Sequence, residues 1–67
     1  MTVLEARAVR IKFGKHKGST LGEIVDSDIL YLDFLVGATI FDPVLKLAVD
    51  VLGTAYATEI AKAVDDN

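Results

Sequence analysis

The stretch from Asp42 to Val64 does most to limit what this 67-residue chain can become, because so large a share of it reads as one helix. Asp42 is a good N-cap, and Pro43, the chain's single proline, suits the first helical position, where its missing N–H would be unpaired anyway. A helix is therefore expected over 43–64. Lys46, Asp50, Thr54, Thr58 and Lys62 recur at i+4 and drift about 40° per step, so the polar sector spans roughly 160°. Leu47 and Val51 intrude into that sector, and Leu45, Val49, Leu52, Tyr56, Ile60 and Ala63 fill the other side. A helix apolar around most of its circumference is either central in the monomer or buries a second face against a partner. With few elements available to surround it, self-association is the favoured reading: a dimer with Leu45, Val49, Leu52, Tyr56 and Ile60 at its interface. Glu59 interrupts any heptad, so a coiled coil is disfavoured. Gly53 marks a bend or a close helix contact, and costs about 1 kcal/mol relative to alanine.

Upstream the period changes. Thr2-Val3-Leu4-Glu5 fits a capping box and a short helix to about Ala8. Val9, Ile11 and Phe13 then alternate with Arg10 and Lys12, the pattern of a half-buried strand. Gly14 and Gly18 bound a five-residue loop, and an antiparallel return through Ser19, Thr20 and Leu21 would make residues 9–21 a hairpin. Thr20-Leu21-Gly22-Glu23 is a second capping box, however, which competes for the same residues with a short helix through Val25. A helix follows at about 28–36, capped by Asp26 or Ser27 and ending at Gly37. Early strand signals and later helices predict an α+β fold: a strand or hairpin carrying the loop, then two to three helices, in a single domain over residues 1–67.

Composition narrows the setting. Hydrophobic residues make up 52% of the chain and the mean hydropathy is +0.44, rich for so small a domain. The charges at Lys46, Asp50, Glu59 and Lys62 break the longest apolar segment, so no membrane span is predicted. Neither a signal sequence nor a cysteine is present, and a cytoplasmic location without disulfides is expected. The net charge of −3 is unevenly spread. The first twenty residues hold Arg7, Arg10, Lys12, Lys15 and Lys17 against Glu5, while the remainder sets Lys46 and Lys62 against the other acidic residues. A local basic cluster can meet phosphates while the acidic body limits non-specific binding.

That cluster centres on Phe13-Gly14-Lys15-His16-Lys17-Gly18. Cationic side chains project from a glycine-hinged turn whose amides can approach an anion, with Arg10 and Lys12 extending the patch. The opposing reading is that lysines at a turn only keep it soluble. A nucleotide-binding P-loop does not fit, since three residues separate the glycines and Ser19 stands where that motif needs lysine. Together with Thr20-Leu21, Glu23-Ile24, Tyr31-Leu32 and Phe34-Leu35, the hexapeptide resembles the small domain at the C-terminal end of exodeoxyribonuclease X-like proteins. The resemblance runs from about Ile11 to Val36. Phe34 stands at a usual tryptophan, Ser19 at a frequent lysine, and Asp28-Ile29 at a common Asp-Pro. The family's attachment to nucleases implies an accessory role on nucleic acid.

The remaining chemistry is sparse. His16 is the sole histidine, with no orienting acid near it in sequence, so catalysis is not expected. Asp26, Asp28 and Asp33 form the densest acidic group, but Asp26 and Asp28 sit at a helix start and are read as capping charge rather than a magnesium site, and no metal or cofactor is expected. The spacing of Tyr31 and Phe34 favours core positions over base stacking, and Phe13 is read as core too. The expected function is a non-catalytic, dimeric, weakly sequence-specific nucleic-acid-binding module, with DNA favoured over RNA but the choice left open, whose phosphate contacts are Arg10, Lys12, Gly14, Lys15, His16, Lys17 and Gly18. The alternative is a protein-interaction adaptor or inhibitor, of a kind that viruses also encode, acting through its apolar C-terminal helix.

Overall fold

The two capping boxes and the Asp42-Pro43 pair each start a helix. A computed structural model describes residues 1–66, which form α1 (Val3–Ala8), α2 (Leu21–Ser27), α3 (Ile29–Gly37), α4 (Pro43–Ala55) and α5 (Ala57–Asp65). Both capping boxes close: the Thr2 hydroxyl accepts from the Glu5 amide at 3.1 Å while Glu5 Oε1 accepts from the Thr2 amide at 2.8 Å. Thr20 and Glu23 repeat the exchange at 3.1 and 3.2 Å. Asp42 Oδ1 accepts from the Val44 and Leu45 amides, with Pro43 opening α4 as its position requires.

The architecture is all-helical among the described residues, which overturns the α+β expectation. The predicted strand and hairpin over 9–21 shrink to one antiparallel bridge between Arg10 and Thr20. Ile11 donates to the Ser19 carbonyl, Gly18 to that of Ile11 and Leu21 to that of Val9, all within 3.0 Å. The ladder stops there because Thr20 is taken as the N-cap of α2, so the returning leg has no residues left to extend. Two local signals competed for Thr20, and the capping box prevailed.

The second departure lies in the C-terminal helix, which bends at Tyr56 instead of continuing to Val64. A straight helix over 43–64 would run about 32 Å at 1.5 Å per residue. The longest dimension of the whole molecule is 30 Å. Bending folds α5 back against α3 and α4 and lets Ile60 reach the core. Arg7 holds the bend, its Nη1 donating to Tyr56 Oη at 2.7 Å and its guanidinium lying 5.9 Å from the ring centre. Gly53 is the close contact foreseen for it: a Cβ there would come within 2.8 Å of Val36 Cγ2.

Helix α4 occupies the centre, packing on α1, α3 and α5. Its buried Leu45, Ala48, Val49 and Leu52 join Ala6 of α1, Ile11 before the loop, Leu21, Ile24 and Val25 of α2, Leu32 and Leu35 of α3, and Ile60 of α5. The face of α4 that carries Leu45, Ala48, Val49 and Leu52 is thus covered by other helices of the same chain, while Val44 and Leu47 remain exposed. Among the described residues no helix is long and apolar enough to cross a membrane.

Candidate functional site

The basic loop is a tied structure. Gly14 and Gly18 take φ of +77° and +91°, a conformation that side chains with a Cβ rarely adopt, and they bracket a turn in which Lys17 donates to the Gly14 carbonyl. Arg10 Nη1 donates to the Gly18 carbonyl at 2.6 Å and braces the loop from the preceding residues. Gly14 also passes directly over Tyr31, so that a Cβ at that position would collide with Tyr31 Oη. The first glycine of the motif is therefore needed twice, for its backbone and for its lack of bulk.

Asp28 pins the loop from below. Its Oδ2 lies 3.0 Å from His16 Nε2 and 3.1 Å from Lys15 Nζ. An ionised carboxylate only accepts, so the imidazole carries a proton on Nε2. The His16 hydrogen bond, and then that of Lys15, hold the Asp28 carboxyl below its ordinary value. Asp28 separates α2 from α3 with its backbone at φ −154° and ψ 68°, and its side chain makes no cap bond. The carboxylate has been diverted from the helix start to the loop. The expected capping by Asp26 also fails, because Asp26 pairs with Arg7 Nη2 at 2.8 Å. His16 does have an orienting acid, twelve residues downstream and brought in by the fold.

Beside this anchor runs a row of rings. His16 meets Tyr31 edge-on with centres 4.7 Å apart, and Tyr31 meets Phe34 at 5.4 Å with planes tilted by 40°. Lys15 Nζ lies 5.5 Å from the centre of the Tyr31 ring. Tyr31 is half-buried, but Phe34 is 60% exposed and Phe13 42%, so neither phenylalanine is the core residue its spacing indicated. On α3 the buried stripe is Leu32 and Leu35 alone. Helix spacing placed Phe34 within reach of the core, but nothing in α2 or α4 covers it.

The seven loop residues named from sequence do come together, though with different duties. Gly14 and Gly18 shape the turn, Arg10 braces it, and His16 and Lys15 anchor it, Lys15 keeping 66% of its side chain exposed. Lys12 and Lys17 are exposed and carry no ion pair among the described residues. Of the five residues assigned to an oligomer interface, Leu45, Val49, Leu52 and Ile60 are buried within the chain and Tyr56 is half-buried under Arg7. The exposed large apolar positions of that region are Phe41, Val44, Leu47 and Val64. No set of three or more acidic or histidine side chains among the described residues is placed to hold a metal ion.

Comparison of the chain with curated proteins and with solved structures yields no match. The loop, α2 and α3 do have a known counterpart: residues 11–38, somewhat under half of the chain, match the family model described as Exodeoxyribonuclease X-like C-terminal, as the Phe13–Gly18 hexapeptide and the paired aromatics indicated.

Proposed function

We propose that this chain is a non-catalytic accessory module that holds nucleic acid by its phosphates, with Lys12, Lys15 and Lys17 as the principal contacts. The observation that carries this reading is the pinned loop: Asp28, Tyr31 and Arg10 fix the turn, so its outward lysines are presented at set positions instead of being dispersed. Fixing them in advance lowers the entropy lost on binding. The match of residues 11–38 to a nuclease-associated family supports the same setting. Gly14, Gly18 and Arg10 act by shaping the loop, and His16 by anchoring it. The contacts are with the backbone, so recognition is weakly sequence-specific. DNA is the favoured ligand.

Three lysines give a salt slope of about −2.7 on duplex DNA, so affinity falls about 40-fold between 50 and 200 mM salt. Lys12→Glu/Lys17→Glu reverses two charges without touching the anchor on Asp28. Titration of labelled oligonucleotides at two salt concentrations should show binding lost in this variant while its circular dichroism is unchanged. Undiminished binding by the folded variant rejects the proposal.

A second reading rests on Phe41, which is 93% exposed and, with Phe13, Ile40 and Leu45, lines a groove of about 330 Å³ between the loop and α4. It favours a protein-binding adaptor or a self-associating chain, acting through Phe41, Val44 and Leu47 and indifferent to salt. Light scattering at low and high salt, on the native chain and on Phe41→Ser, separates the two readings.

A further inference from the structure

We propose that the nucleic acid bound at this loop is single-stranded, and that one unpaired base stacks on Phe34. This rests on the phosphate-binding reading above and adds the form of the ligand. Phe34 is an apolar ring left 60% in water at the end of the row His16, Tyr31, Phe34. Its orientation is set by Tyr31, which is itself held beneath Gly14 and beside His16. Lys15 and Phe34 adjoin that one tyrosine, at 5.5 and 5.4 Å from its ring, so a short length of strand touches the cation through a phosphate and the ring through a base. This pairing of a backbone-tracking cation with an aromatic platform is how single strands are held without sequence preference. A duplex has its base faces already stacked and gains nothing from Phe34. The acidic neighbour Asp33 lines the groove between α3 and α5 with Val36, Gly53 and Asp65.

The chain contains no tryptophan, which makes the test direct. Phe34→Trp places a single fluorophore at the stacking position. Its emission should be quenched on titration with oligothymidylate and not by a duplex of equal length. Phe34→Ala, a surface change that leaves the core intact, should weaken oligothymidylate binding about tenfold and leave duplex binding unaltered. Equal affinity for both forms, with neither variant responding, overturns the inference while leaving phosphate binding by the lysines in place. Absence of binding to either form overturns both.

Discussion

Gly14 and Asp28 show how single residues set the shape of the loop. Any side chain at position 14 meets two obstacles, a positive φ and the Tyr31 hydroxyl. Gly14→Ala should destabilise the protein by about 1–2 kcal/mol from the backbone term alone, measured by urea unfolding. Tyr31→Phe removes the colliding oxygen and should recover the steric part of the loss but not the backbone part, which a double-mutant cycle isolates. For Asp28 the sign follows from its depressed carboxyl. Its stabilising contribution is fully present above the unfolded-state value near about 4 and is lost as pH falls through the lower folded value. Thermal melts between about pH 5 and about pH 2 should therefore show a steeper acid loss for the native chain than for Asp28→Asn. Local spacing exposes none of this: Asp28 and His16 are twelve residues apart, and Phe34 sits at a core-like interval from Tyr31 yet on an uncovered face.

Among the elements, the legible ones carry their start signals within four residues, as at Thr2–Glu5, Thr20–Glu23 and Asp42-Pro43. The misread ones depend on something distant. Alternation from Val9 to Phe13 describes a strand only if a partner of similar length pairs with it, and Thr20 had a competing use. The bend comes at Tyr56, three residues past the Gly53 read as a bend or a close contact, and Tyr56 there accepts a hydrogen bond from Arg7, which reaches across from α1. Gly53 links α4 to α3 in the same non-local way. Gly53→Ala gains helix propensity of about 1 kcal/mol but presses on Val36, so alone it should destabilise. Combined with Val36→Ala, which removes the blocking methyl, it should regain about 1 kcal/mol in denaturant midpoint analysis.

For the whole molecule, the basic N-terminal part and acidic remainder are folded onto each other: Arg7 pairs with Asp26, and Lys15 and His16 with Asp28. The measured salt slope should accordingly match three phosphates or fewer, well short of the five cations counted in sequence. The apolar surplus has also moved. The side of the C-terminal segment that carries Leu45, Val49, Leu52 and Ile60 is enclosed, while the large hydrophobic side chains left outside include Leu4, Phe13, Phe34, Phe41, Val44, Leu47 and Val64. Mutating Leu45 or Leu52 should thus act on stability, by about 2–5 kcal/mol for replacement by alanine, whatever the protein concentration at which unfolding is measured.

The bond from Arg7 to Tyr56 joins residues 49 apart, against 19 for Arg7 to Asp26 and 12 for His16 to Asp28. Closing a loop of that length costs about 3.4 kcal/mol of chain entropy before any contact rewards it. Docking of α1 on α4 is therefore expected to come late in folding. In stopped-flow measurements Arg7→Ala should leave the refolding limb of the chevron almost unchanged and raise the unfolding rate. The short first helix then works as a latch, contributing little to how fast the protein forms and much to how long it stays formed.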